Sequence, residues 1–221
     1  ATALCNVFGG QNTSYAVQNT DLATSTSVTV QYSNGSTDVR TLAPGAKSSF
    51  SACAAPGMVA GFSGSAKVTS DTTNIVVIGK AFGSGRLTGF VGEVGGSDVL
   101  ALPYIRWTSD TNYETGNRQR SFIALQNIAD QPVSGVQVKY VDTDGNVVGV
   151  HTIDSIAAGA KENSKAIDAT GDAARLLEFG NPDGNPPGRG FGGAVRIEGP
   201  AGSQLIALAR VTSKTNTGEV A

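Results

Sequence analysis

Charged residues are scarce in this chain, and long apolar runs are absent. Only 15% of its 221 residues are charged, and 16 Lys and Arg against 18 Asp and Glu give a formal net charge of -2. Such a chain offers no basic field to hold a nucleic-acid backbone. Its uniformly apolar stretches, such as Ile75–Ile78, are far shorter than the roughly 20 residues of a membrane-spanning helix. We therefore expect neither a nucleic-acid partner nor a membrane span.

The chain has a single histidine, so few side chains are available as a general base for hydrolytic catalysis. A serine or cysteine hydrolase would have to use His151, which stands in a strand-like segment. Gly61–Ser65 partly resembles a nucleophile elbow, but it lies between two strand-like segments, whereas an elbow joins a strand to a helix. We therefore expect no enzyme activity and no cofactor, with a secreted hydrolase as a remaining alternative.

Metal sites are also weakly supported. Two thiolates and one imidazole do not complete a four-coordinate zinc site. Asp142–Asn146 resembles the start of a calcium loop, but Val147–Val150 follows it where such a loop needs a bidentate Glu. A hairpin turn with Gly145 in the left-handed conformation explains the segment instead. Binding of calcium by scattered carboxylates, such as that of Asp183, remains an alternative.

The two cysteines, Cys5 and Cys53, are expected to form one disulfide in an exported protein. Closing a loop of that length stabilises the fold by roughly 4 kcal/mol through chain entropy. The alternative is a pair of free buried thiols in a cytosolic protein. The chain begins Ala1–Leu4 without an initiator Met, as expected for a mature end left after removal of a leader, although an engineered boundary would look the same.

Five segments in the first half of the chain recur in the same order in the second half. The pairs are Tyr15–Asn19 with Ile123–Asn127, Val28–Tyr32 with Val136–Tyr140, Leu42–Lys47 with Ile156–Lys161, Gly61–Val68 with Gly190–Ile197, and Ile75–Ala81 with Leu205–Val211. Repetition of this kind indicates one structural module present twice. We place the modules at residues 1–98 and 99–221, with a first strand of the second module in the apolar run Leu100–Tyr104.

The repeated segments alternate apolar and polar residues with the period of a half-buried strand, as in Val28–Tyr32. Turn sequences such as Ser33–Gly35 separate them about every ten residues. We therefore predict an all-β protein made of two tandem antiparallel β-sandwich modules, Ig-like or jelly-roll-like. One short helix is expected in the second module, capped by Asp172, running over Ala173–Phe179 and ending at Gly180.

Aromatic and cationic side chains are densest at Tyr104, Arg106, Trp107 and Tyr113, with Arg118 and Arg120 nearby. Residues of these types favour interfaces and sugar stacking, because they offer rigid apolar area with polar ends. We predict an interface or ligand contact here, together with the exposed loop 181–190. For Trp107 itself, the interpretation we favour is that it fills the seam between the two modules.

The ordered motifs resemble a repeat of secreted or surface proteins of green non-sulfur bacteria. The motifs are Val17–Asn19, Leu42–Ala46, Gly61–Ser70 and Ile75–Ile78 in the first module. The second module keeps Leu125–Asn127 but has Ala194–Val195 in place of Ser65–Ala66, and Glu198–Gly199 in place of Thr69–Ser70. The resemblance implies an extracellular or cell-surface location and names no ligand.

Two functions fit these features. The first is a structural protein, a subunit of a cell-surface filament or sheath that assembles with other copies of itself by edge-strand pairing or strand donation, for which the N-terminal segment is available. The second is a monomeric adhesion or carbohydrate-binding module that contacts cell-surface glycans through Trp107 and the loop 181–190.

Overall fold

The computed structural model describes residues 2–72, 74–83, 85–115, 118–180, 193–215 and 218–220. The chain divides into two compact units, residues 1–94 and 95–221. Strands and turns dominate both units, which confirms the all-β prediction. Among the described residues, neither α-helix is long enough to cross a membrane.

Unit 1 contains eight strands in two antiparallel sheets. The strands are β1 (Thr2–Cys5), β2 (Asn12–Asn19), β3 (Thr26–Tyr32), β4 (Thr37–Leu42), β5 (Lys47–Ser51), β6 (Phe62–Ser70), β7 (Ile75–Gly83) and β8 (Arg86–Val91). One sheet has the order β1-β6-β3-β4 and the other the order β5-β2-β7-β8. Tyr15 of one sheet and Tyr32 of the other are buried with ring centroids 6.4 Å apart, so the two sheets share one core.

Unit 2 repeats this arrangement with additions. Its elements are β9 (Val99–Leu102), α1 (Asp110–Glu114), β10 (Gln119–Asn127), β11 (Val133–Val141), β12 (Val147–Ile156), β13 (Lys161–Ser164), β14 (Thr170–Gly171), α2 (Ala173–Leu177), β15 (Ala194–Glu198), β16 (Leu205–Thr215) and β17 (Gly218–Val220). The sheet orders are β14-β12-β11-β15-β9 and β13-β10-β16-β17. Apart from β14, each strand has a counterpart in unit 1 with the same neighbours.

The repeated segments occupy matching strands. Val28, Val30 and Tyr32 of β3 are buried, and so are Val136, Val138 and Tyr140 at the same places in β11. The intervening Gln31 and Gln137 are exposed. Period-2 patterning therefore specified which face of each strand enters the core, because successive strand residues point to opposite faces.

The helix predicted after Asp172 is present as α2, and the Asp172 side chain accepts a hydrogen bond from the Arg175 amide at 3.1 Å. A second helix, α1, lies in the segment that leads into β10 and was not predicted. Ser109 caps it by accepting from the Asn112 amide. Five residues give too short a periodic pattern for sequence analysis to detect.

A fully buried asparagine closes one end of each unit. Asn19, the last residue of β2, donates from its side chain to the carbonyls of Thr24, Leu42 and Ala43 at 2.8, 3.4 and 3.2 Å. Its side-chain oxygen accepts from the Asp21 amide at 3.0 Å. Because Leu42 ends β4 in the opposite sheet, the Asn19 side chain joins the two sheets.

Asn127, the last residue of β10, makes the same set of bonds in unit 2. It donates to the carbonyls of Gln131, Ile156 and Ala157 at 2.7, 3.2 and 3.4 Å and accepts from the Ala129 amide at 3.0 Å. The repeated Gln-Asn pair in the sequence is thus a structural motif, which we call the asparagine clamp.

The turn that each clamp contacts is also repeated. The Ala46 amide donates to the Ala43 carbonyl at 3.0 Å, as the Ala160 amide does to that of Ala157. Gly45 and Gly159 both have a φ of +69°. A four-residue turn with positive φ at its third residue favours glycine there, which explains the shared Gly-Ala sequence.

Cys5 and Cys53 form the predicted disulfide, with their Cα atoms 4.9 Å apart. Cys5 ends β1 in one sheet, and Cys53 lies in the 3-10 turn Ala52–Ala54 that follows β5 of the other sheet. The disulfide therefore connects the two sheets of unit 1. Unit 2 has no cysteine, so its two sheets are held together without a disulfide.

Replacing the clamp asparagine should destabilise its unit. Asn127→Ala leaves three carbonyls without their donor, so we expect the free energy of unfolding of unit 2 to fall by about 3 kcal/mol. The single Trp, Trp107, lies in unit 2, and its fluorescence in a urea titration measures this change. Asn163→Ala removes an exposed asparagine of β13 and should change stability by less than about 0.5 kcal/mol. Equal effects of the two variants would contradict the clamp.

Removing the disulfide should destabilise unit 1. For the 48-residue separation of the two cysteines, the double variant Cys5→Ala, Cys53→Ser should lose roughly 4 kcal/mol of unfolding free energy. Scanning calorimetry with and without a reductant measures it, and reduced wild-type protein should match the variant. If neither the reductant nor the double substitution changes the calorimetric trace, the disulfide contributes nothing to stability.

Candidate functional site

Three residues of the predicted aromatic cluster lie on an irregular segment, residues 103–109, between β9 and α1, and the fourth, Tyr113, lies in α1. The Ile105 amide donates to the Gly193 carbonyl and the Trp107 amide to the Phe179 carbonyl, both at 2.8 Å. On the other side, the Ser121 amide donates to the Arg106 carbonyl at 2.8 Å. The segment is therefore fixed between the start of β10 on one side and Phe179 and Gly193 on the other, although it has no regular structure itself.

Arg120 organises the cluster. Its guanidinium carbon lies 4.7 Å from the ring centroid of Trp107 and 4.6 Å from that of Tyr113. Its Nε and Nη2 atoms donate to the Thr108 carbonyl at 2.9 and 2.7 Å, and Nη2 also contacts Asp110 at 2.7 Å. A guanidinium that contacts two rings and donates to a carbonyl fixes a loop in place, since its planar fork suits both kinds of contact.

The structure brings the four predicted contact residues together but buries three of them. Arg106, Trp107 and Tyr113 are 3%, 7% and 7% exposed, while Tyr104 is 45% exposed. The Arg106 guanidinium lies under the Tyr104 ring at 4.6 Å. Tyr104 is thus the member of the predicted set whose ring is open to solvent.

Trp107 packs inside unit 2. It belongs to the core cluster with Ile105 and Phe179, and its ring meets that of Phe122 edge-on at 5.7 Å. In this arrangement the indole offers no face on which a sugar could stack. The loop 181–190, the other predicted ligand contact, lies outside the described residues.

Glu178, which follows α2, was not identified from the sequence. Its carboxylate accepts hydrogen bonds from the Thr108 hydroxyl at 2.7 Å, the Ser109 amide at 3.0 Å and the Asn112 side chain at 2.8 Å. Partial burial raises the pKa of Glu178, but these donors outweigh that effect and hold the pKa below its ordinary value of 4.5. The partners of Glu178 lie more than 60 residues away along the chain, so no local sequence pattern identifies this residue.

The only histidine does meet a serine. The Ser164 hydroxyl lies 2.9 Å from His151 Nδ1 and 2.8 Å from the Tyr140 hydroxyl. Ser164 is 1% exposed, so this hydroxyl is closed to a substrate in the present arrangement. Burial also raises the pKa of Tyr140 well above its ordinary value. The three side chains form a polar layer inside unit 2.

Asp142–Asn146 forms the turn between β11 and β12, and Gly145 has a φ of +87°. The Asp142 carboxylate accepts from the amides of Asp144 and Asn146 and forms an ion pair with Arg175 at 2.6 Å. These contacts are those of a hairpin turn anchored to α2. Across the described part of the chain, no three His, Cys, Asp or Glu residues are grouped to hold a metal ion.

No protein family and no curated protein matches this chain. Among solved structures, an Anabaena sensory rhodopsin transducer is similar over 52% of this chain and 88% of its own length, with 14% sequence identity and a TM-score of 0.32. A similarity this weak supports no conclusion about fold or function.

Glu178 should make the stability of unit 2 depend on acid. Its pKa is lower in the folded state than in the unfolded state, so its contribution is complete above about pH 5 and is lost as pH falls below about 4.5. Glu178→Gln should therefore lower the unfolding midpoint at pH 7, and this deficit should shrink below pH 4.5. Trp107 fluorescence during thermal unfolding measures it. The control Glu162→Gln alters an exposed residue of β13. An equally large drop of the unfolding midpoint in this control would contradict the role given to Glu178. A drop in Glu178→Gln that does not depend on pH would contradict it as well.

Proposed function

We propose that this protein is a non-enzymatic extracellular structural protein, a subunit that joins other copies of itself into a cell-surface filament by pairing of β-strands. The observation that carries the proposal is the presence of unpaired sheet edges in both units. In the described residues, no strand pairs with the outer side of β4, β5 or β8 in unit 1, or of β9 or β13 in unit 2. Free edges present unpaired amides and carbonyls, which are templates for another chain.

The edges differ in how well they are protected. β13 carries Lys161 and Glu162, and β4 carries the ion pair of Asp38 with Arg40 at 2.6 Å. Charges on an edge disfavour pairing with a second copy. The six-residue strand β8 has a single charged residue, Arg86, at its start. The free edges β5 and β9 also carry at most one charged residue, but they have only five and four residues. Edge pairing between copies is therefore best supported on β8, the longest of these weakly charged edges.

Strand donation by the N-terminal segment is less well supported than edge pairing. β1 pairs with β6 over Thr2–Cys5, and the Tyr15 hydroxyl donates to the Thr2 carbonyl at 2.5 Å. Cys5 is bonded to Cys53 of the same unit. Donating β1 to another copy would break these contacts, so we assign assembly to edges that are already free.

The extracellular location rests on the disulfide, since such bonds persist in oxidising compartments and are rare in the cytosol. The absence of catalysis in this proposal is supported by the burial of Ser164 beside His151 and by the internal bonds of Glu178. His151, the histidine that a hydrolase would need, contacts the buried Ser164 inside unit 2.

A second candidate, a carbohydrate-binding or adhesion module, is favoured by Tyr104. An exposed ring backed by the Arg106 guanidinium at 4.6 Å is a suitable platform for a sugar face. On this reading Tyr104→Ala abolishes glycan binding and lowers the thermal unfolding midpoint only slightly, because the ring is half exposed.

Negative-stain electron microscopy of the purified protein at neutral pH tests the proposal. We expect regular filaments that form without ligand and persist in a calcium chelator, because the described residues provide no clustered metal ligands. Dispersed particles at all concentrations would contradict the filament proposal, and glycan binding through Tyr104 would then become the favoured function.

A further inference from the structure

The outer face of β7 and β8 carries four exposed aliphatic side chains, which we call the aliphatic face. Val76, Ile78, Leu87 and Val91 are 52%, 54%, 64% and 73% exposed. Ile78 and Val91 are direct neighbours across the two strands. The exposed Lys80 lies on the same face of β7, between the Ile78–Val91 pair and Leu87. Exposed aliphatic side chains grouped on one side of a sheet are uncommon unless another surface covers them.

The corresponding positions of unit 2 are less exposed. Ile206 and Leu208 of β16 replace Val76 and Ile78 in the repeat, and both are only partly exposed. The same apolar residue types are thus largely open in unit 1 and more covered in unit 2. The aliphatic face is a feature of unit 1, and it adjoins the free edge of β8.

The sequence of β8 is self-complementary when a second copy pairs with it in the antiparallel direction. Residues on one face must oppose residues on the same face, so Gly89 can lie opposite Gly89 of the partner copy. Leu87 then lies opposite Val91 of the other copy, and the reverse pair forms on the other side of the two-fold axis. Both pairs extend the aliphatic face across a continuous sheet.

The charges at the ends of β8 suit the same pairing. Arg86 begins the strand, and the exposed Glu93 lies two residues after its last residue, Val91. Antiparallel pairing brings the cationic start of one strand near the anionic end of the other, and two-fold symmetry gives this contact twice. No like charges face each other along the strand.

From these observations we propose that β8 pairs with β8 of a second copy of this chain, about a two-fold axis at Gly89, and that the aliphatic face is covered in that assembly. The inference rests on the proposed function, for which it supplies one of the two contacts that a filament needs. A filament further requires a second contact elsewhere on the chain, since a two-fold contact alone closes at a dimer.

Charge substitution on the edge tests the pairing. The double variant Leu87→Lys, Val91→Lys places four lysines on the paired face of a dimer, so we expect the dissociation constant from sedimentation equilibrium to rise at least about 100-fold. Val39→Lys is the matched control, because Val39 is 59% exposed on the edge strand β4 of the opposite sheet. Circular dichroism and thermal unfolding should match wild type for both variants.

A cysteine at the axis tests the register. A Cβ atom added at Gly89 meets no other atom within 4 Å, and both native cysteines are in the disulfide. Gly89→Cys should therefore fold and be joined to a second copy by a short bis-maleimide, giving a covalent dimer. Val39→Cys, treated in the same way, should stay predominantly monomeric.

The outcomes separate this inference from the proposed function. Filaments that survive the double lysine variant, with no crosslink through Gly89→Cys, would overturn the β8 contact and leave the filament proposal standing. Crosslinked dimers without filaments would support the β8 contact and contradict the filament proposal. Wild-type protein that is monomeric at all concentrations, with no crosslink, would overturn both.

Discussion

A buried asparagine side chain at the end of one strand joins the two sheets in each half of this protein. Asn19 and Asn127 each donate to the last residue of a strand in the opposite sheet and to the turn that follows it. An amide can do this because it both donates twice and accepts, whereas an aliphatic side chain would leave the carbonyls unpaired in the interior. The turns, the strand ends and the closure of both cores depend on this contact.

The duplicated scaffold carries different polar groups at matching places. Asp38 lies opposite Val30 in unit 1, and His151 lies opposite the equivalent Val138 in unit 2. Asp38 pairs with Arg40, and His151 instead contacts Ser164. The two units have therefore kept the clamp, the turn and the strand order while their remaining polar interior has diverged.

Sequence patterns predicted the features that are local or repeated. Alternation in Val28–Tyr32 and Val136–Tyr140 identified strands and their buried faces, and Asp172 with Gly180 bracketed the helical region that contains α2. Features made by distant residues were not predictable in this way. Glu178 reaches Ser109 across 69 positions, and Arg120 acts through two rings placed by a segment without regular structure. The burial of Trp107 depends on these same long-range contacts, so the sequence left open whether it contacts a ligand or fills the seam between the modules.

The asparagine clamps, the Arg120 contacts and the Ser164 contacts are all directed inward. Among the described residues, this leaves the free strand edges and the exposed Tyr104 ring as the groups best placed to bind another molecule. Hydrogen–deuterium exchange measured on dilute and on concentrated protein tests this account most directly. The account predicts that amide exchange in β8 slows at high concentration, while exchange in β4, the protected edge of the other sheet, stays the same. Exchange that is unchanged in β8, or that slows equally in both strands, would contradict it.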